Sequence, residues 1–393
     1  MTRVRDTSPV LLSVDGLLQR ARDEAELEDF GDPWFLEPLA KLVDLINTEA
    51  NLVSTEVDMV DRIVACLVDR LSLVAFVGEH PDVLHEEVDV RGVIIGLARG
   101  GSTLAQRLLG SSPQLTSVHK YELYAPLPLP GEALRDTEPR IARAQRILDE
   151  MAARWPEMAS MHPMTATDYD EEIELIDRSF ACTMYSFYFH LPAYSDWLFD
   201  YDDIKAYDEL LLWLKVLQYR SEPGRPRSWF LKSPHHLMSG GLRSCIKTFP
   251  NAKILMTHRD LKSVVGSCCN LQYSMYKDIT RDLDPSVIGP ELIDLHRRAL
   301  ERMIEVRSEL PADRFIDLQY SRLVSDPINQ FEYALGEMGF SVTEEDRDAA
   351  RAWMAANQRD AHPPHRYRIE DYGVDLRLFD RTFAFYHDRF VTD

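Results

Sequence analysis

The stretch Val90-Arg-Gly-Val-Ile-Ile-Gly-Leu-Ala-Arg-Gly-Gly-Ser-Thr-Leu-Ala-Gln-Arg-Leu-Leu109 decides the fold of this chain. Its β-branched first part predicts a strand that ends at Gly96, and its last part has the apolar spacing of a helix. Glycines in the connecting turn let successive N–H groups converge on an anion, and the helix adds its positive end. The stretch therefore predicts a phosphate-binding loop at residues 96–103.

Three more short apolar runs follow, at residues 229–232, 252–258 and 313–320, and helical patterns separate them. Strands that alternate with helices predict a parallel sheet covered on both faces. The expected fold class is therefore α/β, with a P-loop-type parallel sheet flanked by helices and a helical N-terminal extension. A ligand is expected at the carboxyl ends of the strands.

The same patterns predict how the chain is divided. Residues 1–88 form the helical extension, and residues 89–393 form the P-loop α/β domain. Within that domain we expect a mostly helical insertion at 131–228 and a C-terminal lid loop at 362–375.

Composition restricts the function classes. The chain has 393 residues, of which 45% are hydrophobic and 28% charged, and its formal net charge is −21. This charge argues against nucleic-acid binding and requires a local basic pocket for any anionic nucleotide. We find no apolar run long enough to span a membrane, no signal peptide, and no metal-binding or disulfide spacing among the five cysteines. A cytoplasmic protein with reduced thiols is expected, and a homo-oligomer is possible.

The loop itself limits the ligand. Ser102 stands where a Walker loop carries its lysine, so a nucleoside triphosphate with magnesium fits poorly. Arg99 offers a charged fork, Ser102 and Thr103 offer hydroxyls, and Gly100 and Gly101 offer backbone N–H groups. A 5′-phosphosulfate has one charge fewer on its terminal group and is the better candidate.

A second anion site is predicted after the run 252–258. Arg259 follows the predicted strand and Ser267 lies eight residues later in a predicted helix. If the loop folds back, the two side chains meet at one phosphate, with the arginine as the bidentate anchor. A solvated Arg259–Asp260 pair is the simpler alternative.

Five segments, taken in order, resemble the motifs of sulfotransferases that use 3′-phosphoadenosine 5′-phosphosulfate (PAPS). Residues 96–104 resemble the 5′-phosphosulfate loop, and His258-Arg-Asp260 with Ser267 resembles the 3′-phosphate motif. The others are Leu231-Lys-Ser-Pro-His-His236, similar to the K-S-P-x-H segment of a bacterial branch, Tyr320-Ser-Arg-Leu-Val-Ser-Asp-Pro327 and His365-Arg-Tyr-Arg-Ile-Glu-Asp-Tyr-Gly373. The chain departs from the pattern at Ala98 and Gly100, and Leu104 stands where some members place a tryptophan against the adenine.

The resemblance implies roles for particular residues. Lys232 would contact the bridging oxygen or the sulfonate. The base that accepts the acceptor proton would be His235, His236 or Glu122, and burial among aromatic residues is expected to raise the pKa of Glu122. Tyr320 would donate near the adenine. Leu104 is counted with the nucleotide-binding residues, and so are Arg366 or Arg368 of the lid loop, near the 3′-phosphate.

Two further segments concern the acceptor. The acidic run at 162–177 is typical of a solvated face, although it could line the acceptor cleft. The aromatic residues Phe180, Tyr185, Phe187 and Tyr188 are more typical of a core, although an apolar acceptor pocket would use such residues.

The sequence thus predicts a sulfotransferase that moves a sulfuryl group from PAPS to a hydroxyl and leaves PAP (3′-phosphoadenosine 5′-phosphate), without a metal. The acceptor would be a small molecule, a lipid or a glycan. A non-catalytic nucleotide-binding or scaffold protein with the same fold is the alternative, and a P-loop kinase is less favoured.

Overall fold

A computed structural model describes residues 11–53, 58–154, 164–222, 224–357 and 368–392, except for the side chains of residues 58 and 59.

A five-stranded parallel sheet lies at the centre of the molecule. Its strands are β1 (Asp89–Ile95), β2 (Leu115–Thr116), β3 (Ser228–Lys232), β4 (Lys253–His258) and β5 (Phe315–Gln319). They lie in the order β2-β3-β1-β4-β5, and every pairing is parallel. The predicted fold class is confirmed. The sequence did not reveal β2, because two residues are too few to show a periodic pattern.

Helices cover the sheet on both faces. Those before β1 are Val14–Ala25, Leu36–Thr48 and Asp58–Glu79. Helix Ser102–Leu109 connects β1 to β2, and between β2 and β3 lie Lys120–Tyr124, Glu138–Arg154, Ile173–Ile176, Met184–Tyr188, Pro192–Asp200 and Ile204–Arg220. The later helices are His235–Met238, Leu242–Thr248, Leu261–Tyr276, Ile288–Ser308, Tyr320–Ser325, Pro327–Glu337, Glu344–Ala356 and Leu376–Phe390.

The side chains of β1 alternate between two hydrophobic clusters. Val93 and Ile95 pack into the larger cluster, which also contains Ile63 and Leu67 of helix Asp58–Glu79. Ile94 packs into the smaller cluster on the opposite face. Because the helices before β1 share a core with the sheet, they can also contribute residues to a cleft at its edge.

The sheet topology brings the predicted site residues to one edge. In strand order, β3, β1 and β4 are neighbours, and β5 follows β4. The chain therefore leaves adjacent strands at Lys232, Gly96, Arg259 and Tyr320. Parallel strands place these positions together at the carboxyl edge, where ligands of open α/β sheets bind.

Within the described ranges, no helix has both the length and the apolar character that a membrane crossing requires. The five cysteines are buried free thiols.

Candidate active site

Left-handed backbone at two positions gives the loop after β1 its tight turn. Arg99 has a φ of 66° and Gly101 a φ of 99°. A Cβ at Gly101 would lie 2.5 Å from the Tyr320 ring, so both the φ angle and the close approach require glycine there. At Gly100 a Cβ would lie 2.8 Å from the carbonyl oxygen of Leu97. The departure at Gly100 therefore fits a turn that leaves no space for a side chain.

The loop is attached directly to the segment after β4. The Arg99 Nε donates to the Ser267 hydroxyl at 3.1 Å, and Arg259 Nη1 donates to the Arg99 carbonyl oxygen at 2.9 Å. Cys268 Sγ lies 3.4 Å from the carbonyl oxygen of Ala98. The residues predicted to form the two anion sites thus contact one another.

The three side chains of the segment His258-Arg-Asp260 have different partners. His258 is buried, with Nε2 2.8 Å from Asp317 Oδ1 and Nδ1 2.6 Å from the Tyr386 hydroxyl. Asp260 accepts from the backbone N–H of Ser263 at 2.9 Å and caps helix Leu261–Tyr276, so it is not the partner of Arg259 that the simpler interpretation supposed.

Arg259 lies between these two hydrogen-bonded residues, and its side chain lies beside the cleft. Its guanidinium lies over the Tyr320 ring, 4.2 Å from the centroid. Tyr320 therefore contacts both halves of the cleft, because its ring also packs against Gly101. The ring contact and the hydrogen bond to Arg99 thus hold the planar guanidinium beside the loop.

Lys232 reaches the loop from the end of β3. Its side chain is only 1% exposed, its Nζ lies 3.3 Å from the Thr103 hydroxyl, and it also forms an ion pair with Glu171. Its backbone N–H donates to Glu172 at 2.8 Å. An ammonium group is therefore fixed beside the first turn of helix Ser102–Leu109.

His236 helps to hold Lys232 in place through Glu172. Its Nε2 lies 2.6 Å from Glu172 Oε1 and its Nδ1 lies 2.6 Å from the Tyr207 hydroxyl. The ring is fully buried. Both nitrogens are thus engaged in a network that holds Glu172 against the backbone of Lys232.

His235 lines a cavity that adjoins Lys232, but the lone pair of its unprotonated ring nitrogen already accepts a hydrogen bond. Nδ1 accepts from the backbone N–H of Thr183 at 3.3 Å and lies 3.2 Å from the Thr183 hydroxyl. The proton of the neutral ring is therefore on Nε2, which lies 3.5 Å from the Ser239 hydroxyl. Burial, together with His236, holds the pKa of His235 well below its usual value, so the ring is neutral.

A sequence profile of the sulfotransferase family matches residues 93–345, more than half of the chain. This protein belongs to the sulfotransferase family. Its fold is similar to that of sulfotransferase STF9 from Mycobacterium avium, at 24% identity and a TM-score of 0.83 over 97% of each chain. It is also similar to sulfotransferase STF1 from Mycobacterium tuberculosis, at 25% identity and a TM-score of 0.83 over 95% of this chain and 99% of that one. No curated protein sequence matches it.

In this member of the sulfotransferase family, Glu122 faces away from the cleft. Arg225 donates to its carboxylate at 2.6 and 3.2 Å, and the backbone N–H of His119 donates to it at 2.9 Å. Burial alone would raise the pKa of Glu122, but Arg225 and His119 outweigh burial and lower the pKa to about 2. The expectation of a raised pKa is therefore wrong, because an arginine distant in sequence neutralises the buried carboxylate.

The acidic run supplies a residue that the sequence analysis missed. Asp170, Glu171 and Glu174 line the cavity beside the cleft, and Glu172 and Asp177 are fully buried. The run is therefore not a solvated face. Glu171 contacts Lys232, and the apolar residues Ile173, Leu175 and Ile176 interspersed in the acidic run were the available signal.

From Lys232 the cleft opens into a cavity of about 1880 Å³. Helices Glu138–Arg154, Met184–Tyr188 and Leu261–Tyr276 contribute mostly apolar side chains to its walls, among them Leu148, Met151, Met184, Phe187, Leu271 and Met275. Of the four aromatic residues singled out from the sequence, Phe187 and Tyr188 line this cavity. Phe180 and Tyr185 are fully buried in the core.

The remaining residues predicted to contact the nucleotide lie in different parts of the chain. Leu104 packs against the smaller hydrophobic cluster behind the loop. Arg368 is exposed and lies 4.0 Å from Glu370. Arg366 and the lid loop up to residue 367 lie outside the described residues.

The loop geometry predicts a cost for a methyl group at Gly101. Gly101→Ala should lower the free energy of unfolding by about 1–3 kcal/mol, because φ is positive and the Tyr320 ring blocks the methyl. Gly336→Ala is the matched control: it lies within helix Pro327–Glu337 with nothing within 4 Å of the added Cβ, so it should be neutral or stabilising. Equal chemical-denaturation curves for the two variants would contradict this geometry.

The Arg225 pairing predicts that Glu122 stabilises the fold. Glu122→Gln should lower the free energy of unfolding at neutral pH by about 3 kcal/mol, because a buried guanidinium loses its counter-charge. The pKa of Glu122 is depressed from 4.5 to about 2, so this stabilisation is present above 4.5 and is lost as the pH falls toward 2. Denaturant melts at several pH values measure it, with exposed Glu345→Gln as the control; a Glu122→Gln protein as stable as wild type at neutral pH would refute the role.

Proposed function

We propose that this protein binds PAPS along the carboxyl edge of its sheet and transfers the sulfuryl group to a hydroxyl of an acceptor in the adjoining cavity. The observation that carries the proposal is the meeting of three cations from three strands: Arg99 after β1, Lys232 at the end of β3 and Arg259 after β4. In a chain with a net charge of −21, such convergence is the local basic pocket that an anionic nucleotide requires.

The donor would lie with its two anionic ends in the two halves of the cleft. The N–H groups in the first turn of helix Ser102–Leu109 have no partners within the helix and would bind the 5′-phosphosulfate, together with the Thr103 hydroxyl. Arg259 and Ser267 would bind the 3′-phosphate, one as a charged fork and the other as a neutral donor. The Arg99–Ser267 contact supports this arrangement, because it holds both halves within one side-chain length.

Lys232 has the position needed to assist the transfer. In the reaction, the acceptor oxygen forms a bond to sulfur while the bond from sulfur to the bridging phosphate oxygen breaks, and that oxygen keeps the electron pair. The Lys232 ammonium, fixed beside Thr103, would stabilise the negative charge that develops there. We propose that these side-chain cations, rather than a metal, neutralise the leaving group.

The cavity supports an acceptor with a large apolar part. Together with the donor end lined by Arg99, Ser102 and Thr103, its volume of about 1880 Å³ exceeds the range of about 300–1,000 Å³ typical of sites for drug-sized ligands. Methionine, leucine and phenylalanine side chains contribute to the walls, and the lysines there, Lys120 and Lys232, are already paired with carboxylates. We therefore favour an apolar alcohol or phenol over a glycan. The buried free thiols support a reducing compartment, and we propose the cytoplasm.

Binding of PAP tests the donor half. Arg259→Ala should weaken PAP binding by about 10- to 100-fold, because a charge-assisted contact to the 3′-phosphate is lost. Ser267→Ala should weaken it less, since it removes a neutral donor. Isothermal titration calorimetry measures both, with Arg243→Ala as the control, because Arg243 is exposed and pairs with Glu305 and Glu309 elsewhere. Wild-type protein that does not bind PAP at all would overturn the proposed function.

A series of straight-chain primary alcohols tests the acceptor half. With PAPS as donor, kcat/KM should rise about fourfold for each added methylene, because burying one methylene in the cavity contributes about 0.8 kcal/mol of binding free energy. Phe187→Ala should flatten the rise, and glucose should be a poor acceptor. A flat series in a protein that binds PAP, with glucose preferred, would rule out the apolar acceptor and leave the donor site intact.

A further inference from the structure

We propose that Glu171 is the catalytic base that removes the proton from the acceptor hydroxyl. The inference rests on the proposed function and assigns a step that the residues singled out from the sequence do not perform. It starts from one contact, the ion pair between the Glu171 carboxylate and the Lys232 ammonium.

Glu171 stands at the boundary between the donor cleft and the cavity. Lys232 is 1% exposed and contacts the Thr103 hydroxyl on the side of the loop. Glu171 is 24% exposed and lines the cavity together with Lys232 and Thr103. A hydroxyl that approaches the sulfonate from the cavity would therefore come close to this carboxylate.

The other candidate bases are engaged elsewhere. Glu122 is bound to Arg225 and does not line the cavity. Both nitrogens of His236 are held by buried partners, and the lone pair of His235 is directed at Thr183.

The neighbouring carboxylates of the acidic run form ion pairs with a different cation. Asp170 and Glu174 both pair with Lys120, whose side chain is 4% exposed. In the described part of the chain, the ion pair to Lys232 comes from Glu171. Among these carboxylates, Glu171 is therefore the one next to the cation that would bind the sulfonate.

The chemistry balances with the groups present. The acceptor O–H proton passes to the Glu171 carboxylate as the acceptor oxygen bonds to sulfur, and the sulfur–oxygen bond to the 5′-phosphate breaks. PAP leaves with the electron pair, and the protonated carboxyl group returns its proton to solvent through the open cavity. The ammonium of Lys232 has three N–H donors, enough to contact Thr103, Glu171 and a sulfonate oxygen together.

A purely structural role, in which Glu171 only neutralises buried Lys232, makes a different prediction. A counter-ion affects every acceptor equally, whereas a base matters only for acceptors that still carry their proton. Two phenols of nearly the same shape separate the roles: 4-pentylphenol, which is neutral at about pH 8, and 2,6-difluoro-4-pentylphenol, which is largely ionised there.

The experiment measures kcat for both phenols with PAPS in wild type and in Glu171→Gln. We expect Glu171→Gln to lose about 100-fold or more on 4-pentylphenol and less than about 5-fold on the difluoro analogue. Glu171→Asp keeps the carboxylate and should keep the wild-type ratio between the two phenols at a lower rate. Glu122→Gln is the matched comparison, and its ratio should also equal that of wild type.

Equal losses of Glu171→Gln on both phenols, or no loss on either, would overturn the assignment. Calorimetry with PAP keeps this outcome separate from a failure of the proposed function. Glu171→Gln should bind PAP about as tightly as wild type, because Arg99, Arg259 and Ser267 keep their contacts and Lys232 keeps its contact with Thr103. A wild-type protein without PAP binding would refute the donor site, whereas intact PAP binding with equal losses would refute only the base.

Discussion

The hydrogen bond from the Arg99 guanidinium to the Ser267 hydroxyl joins the two halves of the candidate site. It is possible because Arg99 and Gly101 adopt left-handed backbone, which turns the loop after β1 toward helix Leu261–Tyr276. Arg259 closes the same junction from β4 by donating to the Arg99 carbonyl oxygen. These contacts bring the N-terminus of helix Ser102–Leu109 and the Arg259 side chain together, as the proposed binding of a ligand with two anionic ends requires.

Two neighbouring carboxylates, buried Glu172 and partly exposed Glu171, hold Lys232 in place. Glu172 supports the backbone of Lys232 and the ring of His236, while Glu171 contacts the ammonium itself. Such buried charges are tolerated because each has a partner; an unpaired one would be costly. A chain with 65 acidic residues and 44 lysines and arginines can therefore still present a local cluster of positive charge.

The sequence predicted the features that depend on local pattern. Strand periodicity located β1, β3, β4 and β5, and the spacing from Arg259 to Ser267 anticipated two side chains on one cleft. The sequence could not show that the pKa of Glu122 is lowered, because the partner that lowers it, Arg225, lies 103 residues away. In the same way, Tyr207 and Thr183 determine which histidine nitrogens are engaged, and no local pattern reports contacts made through the fold.

Glu171 shows why the acidic run was hard to interpret. A run of carboxylates usually marks a solvated surface, and the sequence alone gives no reason to expect cations from several distant elements opposite it. Lys232 and Lys120 approach from β3 and from the helix after β2, and Arg62 comes from a helix before β1. Tertiary structure therefore converts an ordinary charge pattern into part of the cavity wall.

A crystal structure with PAP bound tests the central claim most directly. The account predicts the 5′-phosphate within hydrogen-bonding distance of the N–H groups that open helix Ser102–Leu109, and the 3′-phosphate on Arg259 and Ser267. The nucleotide bound at any other surface, with Arg259 and Ser267 facing only solvent, would contradict it.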